Sequence, residues 1–250
     1  MNVVPEHRAL LAVDVVGAGR APGHQKHAVG EAVKRLVLMA LIDSGIDPAL
    51  VESWEPQGDG ALLTLPASAL GALVDLGSRL DEQAWLHNRR AKPETRFRIA
   101  VETGPVGTDQ GFYTPKVSLC RMLEAKAFKD LFAKCRKRND DELINSAMII
   151  SGHVRDVVFG GDYARLVRRG EFAPLEVRNK EHASTAWVRV PGVDVDTLRG
   201  LCGAQAERPE AVEPPDPPTT ITTHNSAGQV NRGVQAGSVR GDINIGRTGR

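Results

Sequence analysis

The sequence predicts an α+β fold, a ferredoxin-like βαββαβ core with additional strands at its C-terminal end. The run at residues 9–16, ALLAVDVV, is apolar except for Asp14 and is typical of a buried strand. The segment 52–66, ESWEPQGDGALLTLP, has a Gly-Asp-Gly turn between two strand-like runs and therefore predicts a β-hairpin. Segments with helical spacing of apolar residues follow both the first strand and the hairpin. This order of elements is that of the ferredoxin-like pattern.

Periodicity and turn-forming residues define each element in chain order. The predicted elements are a strand over 10–16, a helix over 26–44, the hairpin over 52–66, a helix over 67–88, a strand over 96–102, a helix over 117–132, a strand over 147–151 and two strands over 172–177 and 185–190. The segment 104–111 is rich in turn-forming residues and predicts a loop. The final two strands, antiparallel around a charged bend, form the C-terminal extension of the core.

Composition and charge are typical of a water-soluble domain with no general affinity for polyanions. The chain has 250 residues, 41% of them hydrophobic, and 32 basic residues nearly balance 31 acidic ones. Such a balance favours neither nucleic acid nor a membrane surface as a partner. Three cysteines without metal-ligand spacing are typical of free thiols in a reducing compartment. No apolar run is long enough to span a membrane, so we expect a cytoplasmic protein.

The composition changes towards the C-terminus and predicts three regions. Residues 1–192 contain the predicted strands and helices of the folded domain. Residues 193–222 are predicted to be a linker, because residues 207–218 include five prolines and four acidic residues. Residues 223–250 combine spaced valines and isoleucines with asparagine, glutamine, serine and glycine. This composition is compatible both with a disordered tail and with a segment that stacks as cross-β structure.

Two aspartates are the strongest candidates for a functional site. Asp14 lies within the first apolar strand, where a lone carboxylate is costly to bury unless it is paired. Asp59 lies at the tip of the hairpin, which can approach the end of the first strand in a ferredoxin-like sheet. Two carboxylates about 5 Å apart repel by roughly 3 kcal/mol, and a bound Mg²⁺ would reverse that sign. An aspartate in a turn is also common without any such role.

Two further segments suggest contacts with phosphate or ribose. After Asp14 the sequence VVGAG places Val16 and Gly17 where backbone N–H groups could approach phosphates, although an ordinary turn has the same composition. Ser118 and Arg121 lie about one turn apart near the start of a predicted helix, so a hydroxyl and a guanidinium could face the same ligand. A solvated arginine is the alternative interpretation.

Four segments together resemble class III nucleotidyl cyclases: LLAVDVVGAG, EPQGDGALLTLP, RIAVETGPV and GFYTPKVSLCRMLEA. The similarity extends over residues 10–192, including the closing strand pair EVRNKEHASTAWVRVPG, and is greatest to the cyclase-homology proteins found singly in actinobacteria. The resemblance implies a cyclase-like fold with a nucleoside triphosphate as substrate. It also implies a homodimer whose active sites form at the interface between the two protomers.

The resemblance implies roles for individual residues. Asp14 and Asp59 correspond to the aspartates that hold two Mg²⁺ or Mn²⁺ ions per site, with the carbonyl of Val15 as a further ligand. Arg121 corresponds to the arginine that stabilises the transition state. Ser118 stands where the family has an asparagine that orients the ribose, and the segment before Arg121 is one residue shorter than in the family. A serine reaches less far than an asparagine, which changes how the ribose can be held.

The base preference implied by the resemblance is incomplete. The base-reading position, four residues before the hairpin aspartate, is Glu55, and a glutamate there is typical of guanylyl cyclases. The companion position, near Gln110 or Gly111, matches neither the adenine nor the guanine type. Because related defence enzymes make cyclic pyrimidine nucleotides from the same fold, guanylate or pyrimidine products are favoured over adenylate.

The C-terminal segment GVQAGSVRGDINIG resembles bacterial amyloid signalling motifs that are similar to the RIP homotypic interaction motif. Its Val234, Gln235, Ala236 and Gly237 match the short core of that motif, and Val239 would add to the dry contact between stacked copies. The resemblance implies a partner protein that carries a matching motif.

The sequence therefore predicts a metal-dependent nucleotidyl cyclase that converts an NTP to a 3′,5′-cyclic nucleotide and pyrophosphate. The amyloid-like tail places this activity in a bacterial signalling or antiviral defence system. The alternative is a non-catalytic cyclase-like module that senses a nucleotide or transmits assembly through its tail.

Overall fold

A computed structural model of the protein describes residues 5–17, 23–92, 94–107, 113–138, 143–179 and 182–206. Its strands are β1 (Glu6–Val15), β2 (Ser53–Gln57), β3 (Gly60–Pro66), β4 (Phe97–Val106), β5 (Ser146–Ser151), β6 (Ala173–Asn179) and β7 (His182–Arg189). Its helices are α1 (Gly23–Asp43), α2 (Leu70–Asn88), α3 (Thr114–Glu124), α4 (Lys126–Arg138), α5 (Gly152–Gly160) and α6 (Val195–Ala206). None of the helices in these residues combines the length and apolar composition that a membrane span requires.

The seven strands form one sheet in the order β2-β3-β1-β4-β5-β7-β6. β1 pairs in antiparallel fashion with both β3 and β4, so β1 to β4 with α1 and α2 form the ferredoxin-like βαββαβ unit. β5 is parallel to β4, and the crossover between them contains α3 and α4. β7 and β6 then extend the sheet as an antiparallel pair. The predicted α+β fold with a C-terminal strand extension is confirmed.

Helices cover both faces of the sheet, which explains why residues 9–13 of β1 are all apolar. Leu11 and Val13 belong to the core on the face covered by α1, α2 and α5. Leu10 and Ala12 belong to the core on the opposite face, which α3, α4 and α6 cover. Because both faces exclude water, successive residues of β1 are apolar instead of alternating with polar residues. Asp14 departs from this pattern at the end of the strand.

Two predicted boundaries differ from the structure. The single helix predicted over 117–132 is two helices, because Ala125 leaves the helical conformation with ψ of 126° between α3 and α4. No glycine or proline stands there, so the sequence gives no sign of the break. The loop predicted over 104–111 begins later, because Gly104 to Val106 continue β4 by pairing with Glu6 to Arg8 of β1. Residues 108–112 lie outside the described residues.

Two helices were not predicted, and one of them lies in the predicted linker. α5 follows β5 directly, and the Ser151 side chain caps it by accepting a hydrogen bond from the N–H of Val154 over 3.1 Å. α6 begins where the linker was predicted to begin, and Leu198 of this helix is fully buried against the sheet. The prediction of a linker from residue 193 is therefore wrong for residues 195–206. Residues 207–222 and the tail, 223–250, lie outside the described residues.

If α6 is part of the cooperative fold, Leu198→Ala should lower the free energy of unfolding by about 2–5 kcal/mol, because it removes buried methyl groups and leaves a cavity. Urea unfolding followed by circular dichroism measures this change. Arg199→Ala, one position further on the same helix, alters an exposed side chain and should change stability by no more than about 0.5 kcal/mol. Equal small effects of both substitutions would contradict the assignment of α6 to the folded domain.

Candidate functional site

The β2–β3 hairpin places its tip beside the end of β1. Ala61 of β3 lies opposite Val13, and Gly60 begins the strand immediately before it. A Cβ atom on Gly60 would lie 2.0 Å from the carbonyl oxygen of Val13, so only glycine permits this approach. Gly58 has φ of +60°, which lets the turn reverse the chain. Asp59, between the two glycines, is consequently held next to Asp14.

The two carboxylates interact electrostatically. The pKa of Asp14 is raised from 3.8 to about 6, chiefly by burial and in addition by the neighbouring carboxyl group of Asp59, through its charge and a hydrogen bond. The guanidinium of Arg98 opposes this increase, since it favours the charged form of Asp14. The net effect is that the folded chain disfavours a negative charge at Asp14 when no divalent cation is present.

Arg98 is a site residue that the sequence analysis did not single out. It lies directly opposite Asp14 in the pairing of β1 with β4, and its terminal nitrogen forms an ion pair with Oδ2 of Asp14. Both side chains are 14% exposed, so the pair is largely removed from water. The alternating pattern of β4 shows a polar residue at this position. It does not show that Asp14 is its cross-strand neighbour, because that depends on register.

The donor atoms around Asp14 fit a hard divalent cation. Carboxylate oxygens from Asp14 and Asp59 lie at the same end of β1, and Mg²⁺ typically takes one or two carboxylates together with water or phosphate oxygens. Val15, whose carbonyl is the predicted further ligand, is the last residue of β1. In the described part of the chain no cluster of three or more histidine, cysteine, aspartate or glutamate residues could hold a metal ion. A cation here would therefore depend on backbone, water or substrate oxygens to complete its coordination.

The segment after β1 is only partly described. Val16 donates its N–H to the carbonyl of Arg96 over 2.9 Å, so this N–H group is already used within the sheet. Gly17 has φ of +84°, a left-handed conformation that starts a turn. Of the two residues predicted to approach phosphates, Gly17 has the more suitable backbone, while residues 18–22 lie outside the described residues.

Glu55, the predicted base-reading residue, is ion-paired. Lys116, in the first turn of α3, places its Nζ 2.7 Å from Oε1 of Glu55, and the Ser53 hydroxyl donates to the same oxygen over 3.2 Å. The Lys116 side chain is only 11% exposed. The sequence analysis missed Lys116 because the helix was predicted to begin at residue 117. Glu55 thus presents a carboxylate with an adjacent ammonium group.

Ser118 faces a buried carboxylate within the protein. Its hydroxyl donates to Oε2 of Glu102 over 2.9 Å, and Oε1 of Glu102 accepts from the Ser151 hydroxyl over 2.7 Å and from the N–H of Thr103 over 3.0 Å. Glu102 is buried in β4, and it is another residue that the sequence analysis missed. The hydroxyl hydrogen of Ser118 is therefore already used inside the domain.

Arg121 lies apart from the two aspartates. It is exposed in the last turn of α3 and forms no ion pair with Asp14 or Asp59 within the described residues of one chain. The structure thus brings Asp14, Asp59 and Arg98 together, holds Glu55 against Lys116, and leaves Arg121 open to solvent. The predicted assembly residues Val234, Gln235, Gly237 and Val239 lie outside the described residues.

Comparisons with known proteins give matches only among solved structures. No model of a known protein family matches the sequence. No curated protein matches it either.

The structure is similar to an adenylate/guanylate cyclase/hydrolase from Silicibacter pomeroyi, with a TM-score of 0.49, 17% identity, and coverage of 75% of this chain and 98% of that one. It is also similar to the non-canonical dimeric guanylyl cyclase domain of the RhoGC fusion protein from the aquatic fungus Blastocladiella emersonii, with a TM-score of 0.47, 13% identity, and coverage of 76% and 98%. A third similar structure is the guanylyl cyclase Cya2, with a TM-score of 0.46, 12% identity, and coverage of 77% and 100%.

The raised pKa of Asp14 predicts a pH-dependent effect of Asp14→Asn on stability. In the presence of a chelator, ionisation of Asp14 costs the folded wild-type protein stability as the pH rises through about 6. The Asp14→Asn variant escapes this cost, so it should be more stable than wild type at pH 7.5 by about 1–3 kcal/mol, and the difference should disappear near pH 4.

Thermal unfolding at a series of pH values measures this difference, and the wild type with saturating Mn²⁺ provides the control in which the carboxylate becomes favourable. A variant less stable than wild type at pH 7.5 in chelator would show that pairing with Arg98 outweighs burial and the charge of Asp59.

Proposed function

We propose that this protein is a metal-dependent nucleotidyl cyclase that converts an NTP to a 3′,5′-cyclic nucleotide and pyrophosphate. The observation that carries the proposal is the pair of carboxylates, Asp14 at the end of β1 and Asp59 at the tip of the β2–β3 hairpin, which the fold holds together although they repel. This arrangement agrees with the sequence resemblance to class III cyclases, whose paired aspartates occupy the same two elements.

The residues around the carboxylates suit this reaction. When bound at Asp14, Asp59 and the carbonyl of Val15, two Mg²⁺ or Mn²⁺ ions would supply positive charge to the triphosphate and lower the pKa of the ribose 3′-hydroxyl. Asp14 is fixed in orientation by its pairing with Arg98 and by its strand, and Asp59 is fixed by the glycine turn. The left-handed backbone at Gly17 lies just after β1, where it could face phosphate oxygens.

Arg121 fits a role across a homodimer interface. It is exposed on α3 and has no ion pair with the aspartates of its own chain among the described residues. An exposed guanidinium can stabilise the charge that develops on a phosphate only if the substrate is brought to it. We therefore place Arg121 at the site formed with the aspartates of the other protomer.

Ser118 would act on the ribose as an acceptor. Its hydroxyl hydrogen is donated to Glu102, which leaves the lone pairs of its oxygen available. A ribose hydroxyl could donate to this oxygen, whereas the family's asparagine offers both a donor and an acceptor. This difference would weaken ribose positioning without removing it.

The pair of Glu55 and Lys116 would contact the base. A carboxylate accepts hydrogen bonds from the N1 and N2 groups of guanine, and an adjacent ammonium donates to O6. A carboxylate that can accept from both N1 and N2 suits guanine best, because adenine has only one donor on that edge. Pyrimidine products stay in the proposal because of the sequence resemblance, so guanylate or pyrimidine products are favoured over adenylate.

A second candidate function is nucleotide sensing without turnover. Two observations favour it: Oδ2 of Asp14 already pairs with Arg98, and Ser118 already donates to a buried carboxylate. In this case the domain would bind a nucleotide and respond by assembly. In either case we propose that residues 223–250 recruit a partner protein with a matching amyloid motif, in a signalling or defence system.

Incubation of the full chain with each of the four NTPs and Mn²⁺, followed by mass analysis, tests the proposal. We expect a cyclic nucleotide and pyrophosphate from at least one NTP. Loss of a residue that only supports a metal ligand can lower activity by roughly 100-fold. Asp59 is proposed as a ligand itself, so Asp59→Ala should lower production by at least that factor. Asp196→Ala, a matched change on the exposed side of α6, should leave production unchanged, as should removal of residues 219–250. Near-normal production by the Asp59→Ala variant would refute the two-metal assignment.

A shared active site predicts complementation between two inactive variants. Mixing Asp59→Ala with Arg121→Ala protomers gives heterodimers in which one of the two sites has both residues intact. If protomers exchange freely, half of the dimers are mixed, so about one quarter of wild-type turnover should return. Exchange is verified by native mass spectrometry. No recovery after verified exchange would show that Arg121 does not act across the interface.

A further inference from the structure

Arg98 gives the candidate metal site a positive charge of its own. In the antiparallel pairing of β1 with β4 it lies directly opposite Asp14, and its terminal nitrogen pairs with Oδ2 of that carboxylate. The pairing of these two central strands fixes the backbone of both residues, so the guanidinium is kept within reach of Asp14. The site therefore contains a positive charge before any metal binds.

The guanidinium of Arg98 is only partly satisfied by hydrogen bonds. The Arg98 side chain is 14% exposed, and its Nε is buried without a hydrogen-bond partner among the described residues. A buried charge that is incompletely paired acts strongly on its neighbours, because little water surrounds it. The nearest charges are those of Asp14 and Asp59.

The charges in this cluster determine what a metal ion encounters. Asp14 and Asp59 contribute two negative charges and Arg98 one positive charge, so the cluster carries a net charge of −1 when both carboxylates are ionised. A divalent cation at these carboxylates would be attracted by both of them and repelled by the nearby guanidinium. It must also share Asp14 with Arg98 or displace Arg98 from Oδ2.

We infer that Arg98 is a built-in counter-cation of this site, which occupies one oxygen of Asp14 in the absence of a divalent metal ion and lowers the affinity of the protein for that ion. The inference rests on the proposed function in that it takes Asp14 and Asp59 as the metal ligands. It adds a residue whose charge determines the metal affinity of the site. A nucleoside triphosphate carries enough negative charge to offset Arg98, so metal and nucleotide should bind the protein cooperatively.

The test measures Mn²⁺ binding to the full chain without nucleotide, by the loss of the electron paramagnetic resonance signal of free Mn²⁺. Arg98→Met removes the charge and should tighten Mn²⁺ binding by about tenfold or more. Arg98→Lys keeps a positive charge next to Asp14 and should stay close to wild type. Arg178→Met removes an equal charge from an exposed position on the edge strand β6, so it should leave the affinity unchanged.

A second substitution addresses folding. Arg98→Gln also removes the charge but keeps a hydrogen-bond donor for Asp14, so it should likewise tighten Mn²⁺ binding. It replaces Arg98→Met in the test if the Arg98→Met variant does not fold. Unchanged or weaker Mn²⁺ binding in the folded neutral variants would overturn the inference.

Asp59→Ala separates the inference from the proposed function. If this variant binds Mn²⁺ as wild type does, the carboxylates are not the metal ligands and both the function and the inference fail. If Asp59→Ala weakens binding while the neutral Arg98 variants do not tighten it, only the role of Arg98 is wrong. Because no turnover is measured, absence of cyclase activity does not affect the result.

Discussion

The contact between Gly60 and the backbone of β1 determines where the site forms. Because a side chain at Gly60 would collide with the carbonyl of Val13, the hairpin can lie flat against β1 only with glycine at this position. The hairpin tip is then fixed relative to the end of β1, and Asp59 relative to Asp14. The other members of the site follow from the same central strand, since β1 also positions Arg98 through its pairing with β4.

Much of the fold could be predicted because each element carries its own local signal. The centre of β1 is an apolar run, the hairpin has glycines on both sides of Asp59, and α1 and α2 have apolar residues at helical spacing. Those signals are local, so they required no knowledge of partners. The break between α3 and α4 at Ala125 carries no such signal, because no glycine or proline stands there and both helices contribute apolar residues to the same core. α6 was missed because its short apolar face adjoins a proline-rich segment.

The part of the site that could be predicted from the sequence is the part formed by strands that are neighbours in the ferredoxin-like order. Asp14 and Asp59 could be paired because the first and third strands are neighbours in that order. The sequence could not identify three other residues of the site, Arg98, Lys116 and Glu102. Each of them contacts a residue whose position depends on strand register or on where α3 begins. Arg98 lies opposite Asp14 only in the observed alignment of β1 with β4, and a shift of one residue would place it on the other face.

The buried carboxylate of Glu102 has a mechanical consequence. One of its oxygens binds Ser118 on α3, and the other binds Ser151, which caps α5. Ser151 is the last residue of β5, so this single side chain links α3 to the point at which β5 ends and α5 begins. A displacement of α3 here would lengthen the hydrogen bond between Ser118 and Glu102. Because the same carboxylate also binds the hydroxyl that caps α5, the position of α3 bears on how the first turn of α5 is capped.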